Sequence, residues 1–188
     1  MEMGLFEHPY VNPQAASQGV HTAKDVDVAR RVAQASITLL KNENGLLPLK
    51  RDVRVAVIGP NADNRYNMLG DYTAPQPDSR VKTILDGVRS KLPEADVTYV
   101  KGCAIRDTAS ENINEAVAAA RRSDVVIVAV GGSSARDFKT SYKDTGAAVA
   151  DNHSVSDMEC GEGFDRASLS LLGLQLRLLK ELKATGKP

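Results

Sequence analysis

The alternation of short β-branched runs with amphipathic helical stripes constrains this chain more than any other feature. Val53 to Ile58, closed by Gly59-Pro60, has the composition of a buried strand. The polar stretch Asn61 to Ser79 carries turn formers at Asn61, Asp63, Gly70, Pro75 and Pro77 and reads as a long loop. Val81, Ile84, Leu85 and Val88 then resume helical spacing. Val97 to Val100 predicts a second strand, and Ile113, Ala116, Val117 and Ala120 mark the inner face of the next helix, with Ser110 as its N-cap. Val125 to Val130 is the third strand. Each crossover helix must return the chain to the same side of the sheet and cover one face. The β-α-β-α-β order therefore predicts an α/β fold, a mainly parallel sheet flanked by helices.

Residues 1–21 contain Pro9 and Pro13 with small and polar neighbours and no sustained periodicity, and read as an extended interdomain linker. The domain is expected to span residues 22–188. Thr22 and Asp25 have capping-box spacing, and Val28, Val32, Ala35 and Leu39 follow at helical intervals, predicting a helix from Ala23 to Lys41. Asn42 to Gly45 and then Pro48 should end it. Leu174, Leu178 and Leu182, with Leu171 and Leu179 beside them, predict a closing helix from Leu172 to Thr185, stopped by Gly186. The alternation then demands another strand where the sequence reaches Lys187-Pro188, so the natural domain is expected to continue. A three-stranded sheet alone would expose an unpaired edge.

Composition removes several classes of function. With 24 Lys and Arg against 24 Asp and Glu, no net field gathers nucleic acid or an anionic membrane, and a neutral ligand fits better. Val125 to Val130 is too short to cross a bilayer, and Met1 to Pro13 lacks the basic start and apolar core of a signal segment. Cys103 and Cys160 stand far apart without a CxxC spacing, while His8, His21 and His153 are scattered singly in polar or Pro-rich segments. No metal and no cofactor is assigned. The turn Ile58-Gly59-Pro60-Asn61-Ala62-Asp63 has neither GxGxxG nor GxxxxGK(S/T), and Pro60 lacks an amide donor, which argues against a phosphate cradle.

Regularity disappears from Gly131 to Asp165, just past a strand's carboxyl end, where open parallel sheets place their ligand sites. Within it, Met158-Glu159-Cys160-Gly161-Glu162-Gly163-Phe164-Asp165-Arg166 gathers Glu159, Glu162, Asp165 and an arginine. Flanking glycines let a ligand or another domain approach the Glu162 main chain closely. A carboxylic acid delivered there could protonate a leaving oxygen, provided burial or a second carboxylate raises its pKa. The plainer alternative is a solvated Gly-Glu-Gly turn with Asp165-Arg166 as a surface ion pair. Asp71, in Leu69-Gly70-Asp71-Tyr72, reads as an ordinary turn carboxylate.

Several segments, taken in order, resemble the carboxyl-terminal part of glycoside hydrolase family 3, the β-glucosidase and β-xylosidase family. Gly4-Leu5-Phe6-Glu7-His8-Pro9-Tyr10-Val11 resembles the end of that family's (β/α)8 barrel and the start of its linker. Ser36 to Glu43, followed by Leu46-Leu47-Pro48-Leu49, is similar to the start of its second domain, and Val55 to Asp63 resembles the first strand and turn there. Gly70-Asp71-Tyr72, Thr83 to Gly87 and Asp124 to Val128 continue the likeness over nearly the whole chain. Ser170-Leu171-Leu172-Gly173-Leu174-Gln175 is similar to the family's L-P-G-x-Q helix start, with Leu172 where proline is usual and Ser170 available as a cap.

The resemblance implies a partial α/β sandwich domain that lends a loop glutamate to a site centred on the barrel. Gly161 to Arg166 looks like that glutamate's motif, which makes Glu162 the acid/base candidate and Glu159, three residues upstream, the reserve. It further implies retaining hydrolysis of β-linked glucosides or xylosides, with a barrel aspartate as nucleophile. No barrel-length segment is present here to supply that aspartate, so the isolated chain is expected to be inactive and to need the barrel as its partner. The family branch acting on N-acetylglucosaminides generally works without this second domain and is disfavoured. Family members are secreted, periplasmic or cytoplasmic, so the compartment stays open. A non-catalytic carbohydrate-binding or interaction module on the same fold, and a free-standing flavodoxin-like or nucleotide-binding domain, are the competing readings.

Overall fold

The computed structural model of the chain describes residues 2–73, 76–109, 111–134, 157–161 and 165–188. It divides into two compact units, Met1–Leu47 and Pro48–Pro188. In the first, helix α1 (Pro13–Gln18) lies inside the segment expected to be extended throughout. Asn12 Oδ1 accepts from the amides of Gln14 (3.0 Å) and Ala15 (3.4 Å), and Pro13 occupies a first-turn position where a missing N–H costs nothing. Helix α2 (Ala23–Ser36) starts at the expected capping box: the Asp25 amide donates to Thr22 Oγ1 (3.3 Å) and the Thr22 amide to Asp25 Oδ2 (2.8 Å). It ends at Ser36, short of the expected Lys41, because Ile37 is extended (φ −75°, ψ 121°). The β-branched pair Ile37-Thr38 disfavours another helical turn, and no residue of α2 is buried to compensate.

The second unit is built on a parallel three-stranded sheet of strands β1 (Arg54–Ile58), β2 (Asp96–Val100) and β3 (Val125–Val128), in the order β2-β1-β3. Val55 pairs with Val97 on one side and Val125 on the other. As the central strand, β1 is covered on both faces, and Val55, Ala56, Val57 and Ile58 are each 0% exposed. The two-residue period sends Ala56 and Ile58 to one face, where they meet Ile113, Ala116, Ala119 and Ala120 of helix α4 (Ile113–Arg122) and Leu178 and Leu182 of helix α5 (Gln175–Lys183). Val55 and Val57 face the opposite way, with Ala62, Val125, Ala129 and Leu85 of helix α3 (Ile84–Lys91). Alanines on the inner stripe of α4 let that helix approach the sheet closely. The expected α/β class and the parallel sheet with flanking helices are both present.

Boundaries differ from expectation at three places. Strand β3 stops at Val128 rather than Val130, although the Ala129 amide still donates to the Ile58 carbonyl (2.8 Å). Asn112, whose side chain makes no capping bond, holds the N-cap position of helix α4 expected of Ser110, which is itself outside the described residues, and Glu111 Oε2 accepts from the Ile113 amide (2.7 Å). Helix α5 starts at Gln175 and ends at Lys183, inside the expected Leu172 to Thr185, with Leu174 and not Ser170 at its N-cap. The cause is Gly173, whose φ of 60° breaks the helical path where the chain runs tight against Ile105, so that a Cβ would lie 2.8 Å from the Ile105 carbonyl oxygen. The Gly186 φ of 72° follows the helix end as expected.

Two polar contacts hold the ends of the sheet. At the amino-terminal ends, Asp124 Oδ2 accepts from the Arg54 amide (3.0 Å) and Nε (3.1 Å), while the Asp124 amide donates to the Arg54 carbonyl (2.9 Å), fixing β1 against β3. The hydrogen bonds from Arg54 hold the Asp124 carboxyl down at about 2. At the carboxyl ends, Gln175, 0% exposed, accepts from the Gly131 amide through Oε1 (2.8 Å) and donates from Nε2 to the Ile105 carbonyl (3.0 Å). One side chain of α5 thereby satisfies two backbone groups that would otherwise be buried unpaired.

Because the Asp124 carboxyl titrates lower in the folded chain than the ordinary value of about 3.9, its contribution is complete above about pH 4 and is lost as pH falls through about 2. The stability difference between wild type and Asp124→Asn in urea unfolding should therefore shrink across that acid window; a difference independent of pH would show that the pair does not stabilise the sheet. Gln175→Leu, close in volume but lacking both bonds, should lower stability by about 1–3 kcal/mol, seen as a lower urea midpoint with an unchanged slope.

Candidate functional site

The segments expected to carry chemistry meet at the carboxyl ends of β1 and β3. Asn61, in the turn after β1, donates from Nδ2 to the Gly132 carbonyl (3.4 Å), and its Oδ1 accepts from Asn67 Nδ2 (2.8 Å). Asn67 Oδ1 in turn accepts from Ser133 Oγ (2.9 Å). This chain of amides and a hydroxyl ties the long loop after β1 to the loop after β3. Onto the latter comes residue 159, whose amide donates to the Ser133 carbonyl (2.9 Å), while Arg106 Nη1 donates to the neighbouring Met158 carbonyl (2.8 Å).

Glu159 is 5% exposed, and both its carboxylate oxygens are buried. They sit over Gly132, where a Cβ would be only 1.6 Å from Oε1, so the carboxylate occupies space that only a glycine leaves open. Arg166 Nη1 lies 2.9 Å from Glu159 Oε1. Neither oxygen accepts a hydrogen bond among the described residues, and Arg166 therefore supplies the charge compensation that a buried carboxylate requires. Arg166 itself is tied down by donation from Nε to the Ser168 carbonyl (3.2 Å) and from Nη2 to the Ser170 carbonyl (2.6 Å). Its ion-pair partner is thus Glu159, not the adjacent Asp165 of the surface-pair alternative.

Glu162, with Gly163 and Phe164, lies outside the described residues. Its amino-terminal neighbour is described: Gly161 has φ 129°, and a Cβ there would lie 2.8 Å from Asp71 Oδ2 and 2.7 Å from Met158 Cε. Asp71, read from sequence as a turn carboxylate, is therefore brought against the residue that precedes Glu162. Sequence reasoning missed the contacts of Gln175, Arg106 and Gly132. The consecutive glycines after β3 were the available signal for Gly132, whereas nothing local marks Arg106, which acts across the fold. Among the described residues, no three of His, Cys, Asp and Glu group closely enough to hold a metal ion, and no helix is long and apolar enough to cross a membrane.

Residues 37–188 match the family model described as the glycosyl hydrolase family 3 C-terminal domain. The whole chain aligns at 34% identity with 24% of a beta-xylosidase of Formosa agariphila, and at 29% identity with 25% of a periplasmic beta-glucosidase of Salmonella typhimurium. A solved beta-glucosidase involved in saponin metabolism from intestinal bacteria is similar over 98% of this chain and 26% of its own, at 28% identity with a TM-score of 0.76. The chain spans about a quarter of the length of the curated relatives it matches. A parallel sheet of order β2-β1-β3 with its loops gathered at the strands' carboxyl ends, and a family match over most of its length, lead to one assignment: the chain belongs to glycosyl hydrolase family 3, as that family's C-terminal domain.

Proposed function

We propose that this chain is the second-domain portion of a retaining β-glycosidase acting on neutral β-linked glucosides or xylosides, and that Glu162 is its acid/base. The observation that carries the reading is the fastening of the chain on both sides of Glu162. Glu159 is seated on the loop after β3, Arg166 is paired to it, and Gly161 is packed against Asp71. These contacts hold the described residues on either side of Glu162 at the carboxyl end of the sheet, where parallel α/β folds place their ligand sites. Among the acidic residues of the motif, Glu159 has its oxygens buried beneath Arg166 and offers none of them to a sugar. Proton transfer needs the acid within hydrogen-bond reach of the leaving oxygen, which favours Glu162 over its upstream neighbour.

In the reaction so proposed, a carboxylate of the barrel domain attacks the anomeric carbon and forms a glycosyl ester as the bond to the leaving oxygen breaks. Glu162 gives its proton to that oxygen. The resulting Glu162 carboxylate then takes a proton from water while the water oxygen attacks the anomeric carbon, releasing the sugar and freeing the barrel carboxylate. The two carboxyls of such a site stand about 5–5.5 Å apart, on opposite sides of the bond to be cut. Glu162 must begin protonated for the first of these steps.

Purified as the 188-residue chain, the protein should hydrolyse an aryl β-glucoside or β-xyloside no faster than background, because the nucleophile belongs to the barrel. Turnover above background would refute that division of labour. In the complete enzyme, Glu162→Gln should slow hydrolysis of substrates with poor leaving groups by about 10²–10⁴-fold, with azide restoring rate on an activated aryl glycoside. An unchanged rate would instead support a non-catalytic carbohydrate-binding or interaction module.

A further inference from the structure

Among the described residues β3 is an edge strand, yet its outward side is already met at one point. Along a strand, successive residues turn their amide and carbonyl to opposite sides of the ladder. The Ala129 amide donates inward to the Ile58 carbonyl (2.8 Å), so Val126 and Val128 turn outward, and the Val126 amide donates to the Pro188 carbonyl (2.9 Å). Pro188 therefore lies beside the start of β3, on the side away from β1. The side chains along this edge are apolar and only partly buried. Val126 and Val128 pack on the α4 and α5 face and Ile127 on the α3 face, whereas the central strand is fully covered.

The path of the chain selects the same edge. Helix α3 connects β1 to β2 on one face of the sheet, and α4 connects β2 to β3 on the other. Crossovers between parallel strands are right-handed, so a helix on the α4 face carries the chain in the direction that leads from β2 towards β3. Helix α5 packs on that face. It starts at the rim, where Gln175 holds the Gly131 amide, and the chain returns through Thr185 to Pro188 at the start of β3. A right-handed continuation must place its strand beyond β3.

We propose that the residues following Pro188 in the complete enzyme add to the outer edge of β3 as a fourth parallel strand. The bond from Val126 to Pro188 fixes the register: Val126 lies opposite the first of those residues and Val128 opposite the third, and the Val128 amide donates to the carbonyl of the second. The curated relatives extend well beyond the quarter of their length that this chain spans, which makes a continuing segment the occupant. With an apolar layer on each face, the first three residues are all apolar rather than alternating. The carboxyl end of this strand reaches the same rim as that of β3, so the loop leaving it borders Gly131 to Ser133. The inference stands whether or not Glu162 is the acid/base.

Cysteine pairing in the complete enzyme tests the register. Val128→Cys is combined with a cysteine at the third residue after Pro188 or, as control, at the second, which points to the opposite face. Neighbouring strands run about 4.8 Å apart, within disulfide reach. Mild oxidation should join the first pair within one chain and leave the second pair open, as read by mass spectrometry of the linked peptides. Joining of the second pair, of neither pair, or of two separate chains would overturn the proposal. Amide exchange of the unmodified complete enzyme decides the matter if the cysteine variants fail to fold. The Val126 and Val128 amides should then exchange at least about 10²-fold more slowly than open amides. Rapid exchange at Val128, or protection lost on dilution, would show that the edge is bare or is covered by a second copy.

Discussion

Burial of β1 on both faces is the constraint from which the rest of this unit follows. With Val55 to Ile58 fully removed from water, neither face of the central strand can be left bare, and each must be covered by a crossover helix. The crossovers through α3 and α4 make the neighbouring strands parallel, with α4 and α5 packed on one face and α3 on the other. Parallel pairing in turn puts every strand's carboxyl end at the same rim. The loops after β1 and β3 are neighbours there because their strands are, and the Asn61, Asn67 and Ser133 contacts arise from that adjacency.

At this rim, polar side chains do the work that apolar packing does below it. Gln175 reaches from α5 to the Gly131 amide and the Ile105 carbonyl, and Arg106 reaches from the segment after β2 to the Met158 carbonyl. Both satisfy backbone groups in segments that have no ladder of their own. Glu159 then stands on a surface made level by Gly132. The order of support runs from the sheet through Gln175 to the glycines after β3, and from these through Glu159 to Arg166. Each step is a contact between side chain and backbone or between opposite charges, so the geometry at Arg166 inherits the rigidity of β1 at several removes.

Much of this was legible beforehand, for identifiable reasons. Strands β1, β2 and β3 were readable within two residues because their β-branched runs have a period and composition that little else imitates. Thr22-Asp25 and Thr83-Asp86 cap their helices through contacts within three residues of sequence, and the first was recognised directly. Errors arose where a tertiary contact overruled a local signal. Gly173 is held against Ile105, far off in sequence, so α5 could not begin at Leu172. Ser110 has the chemistry of a cap, but the bridge between Cys103 and Glu111 fixes where the turn into α4 begins, and the helix starts after it. Asp165 is the visible partner for Arg166 because it is adjacent in sequence, whereas the pairing with Glu159 is a contact that sequence does not display.

The first unit shows the converse, a helix specified locally and supported by nothing else described. The ends of α2 are set by its capping box and by Ile37, yet Val26, Val28 and Val32 remain 46%, 44% and 64% exposed. A capping box contributes about 1 kcal/mol, and helices of this length are marginal in water without a packed face. Capping therefore determines where α2 can form but does not account for its persisting. Val28 and Val32, four residues apart, share one face of α2, and burying that face would need a further surface to cover it. The second unit needs no such addition to bury β1, while the first, taken by itself, buries none of its described residues.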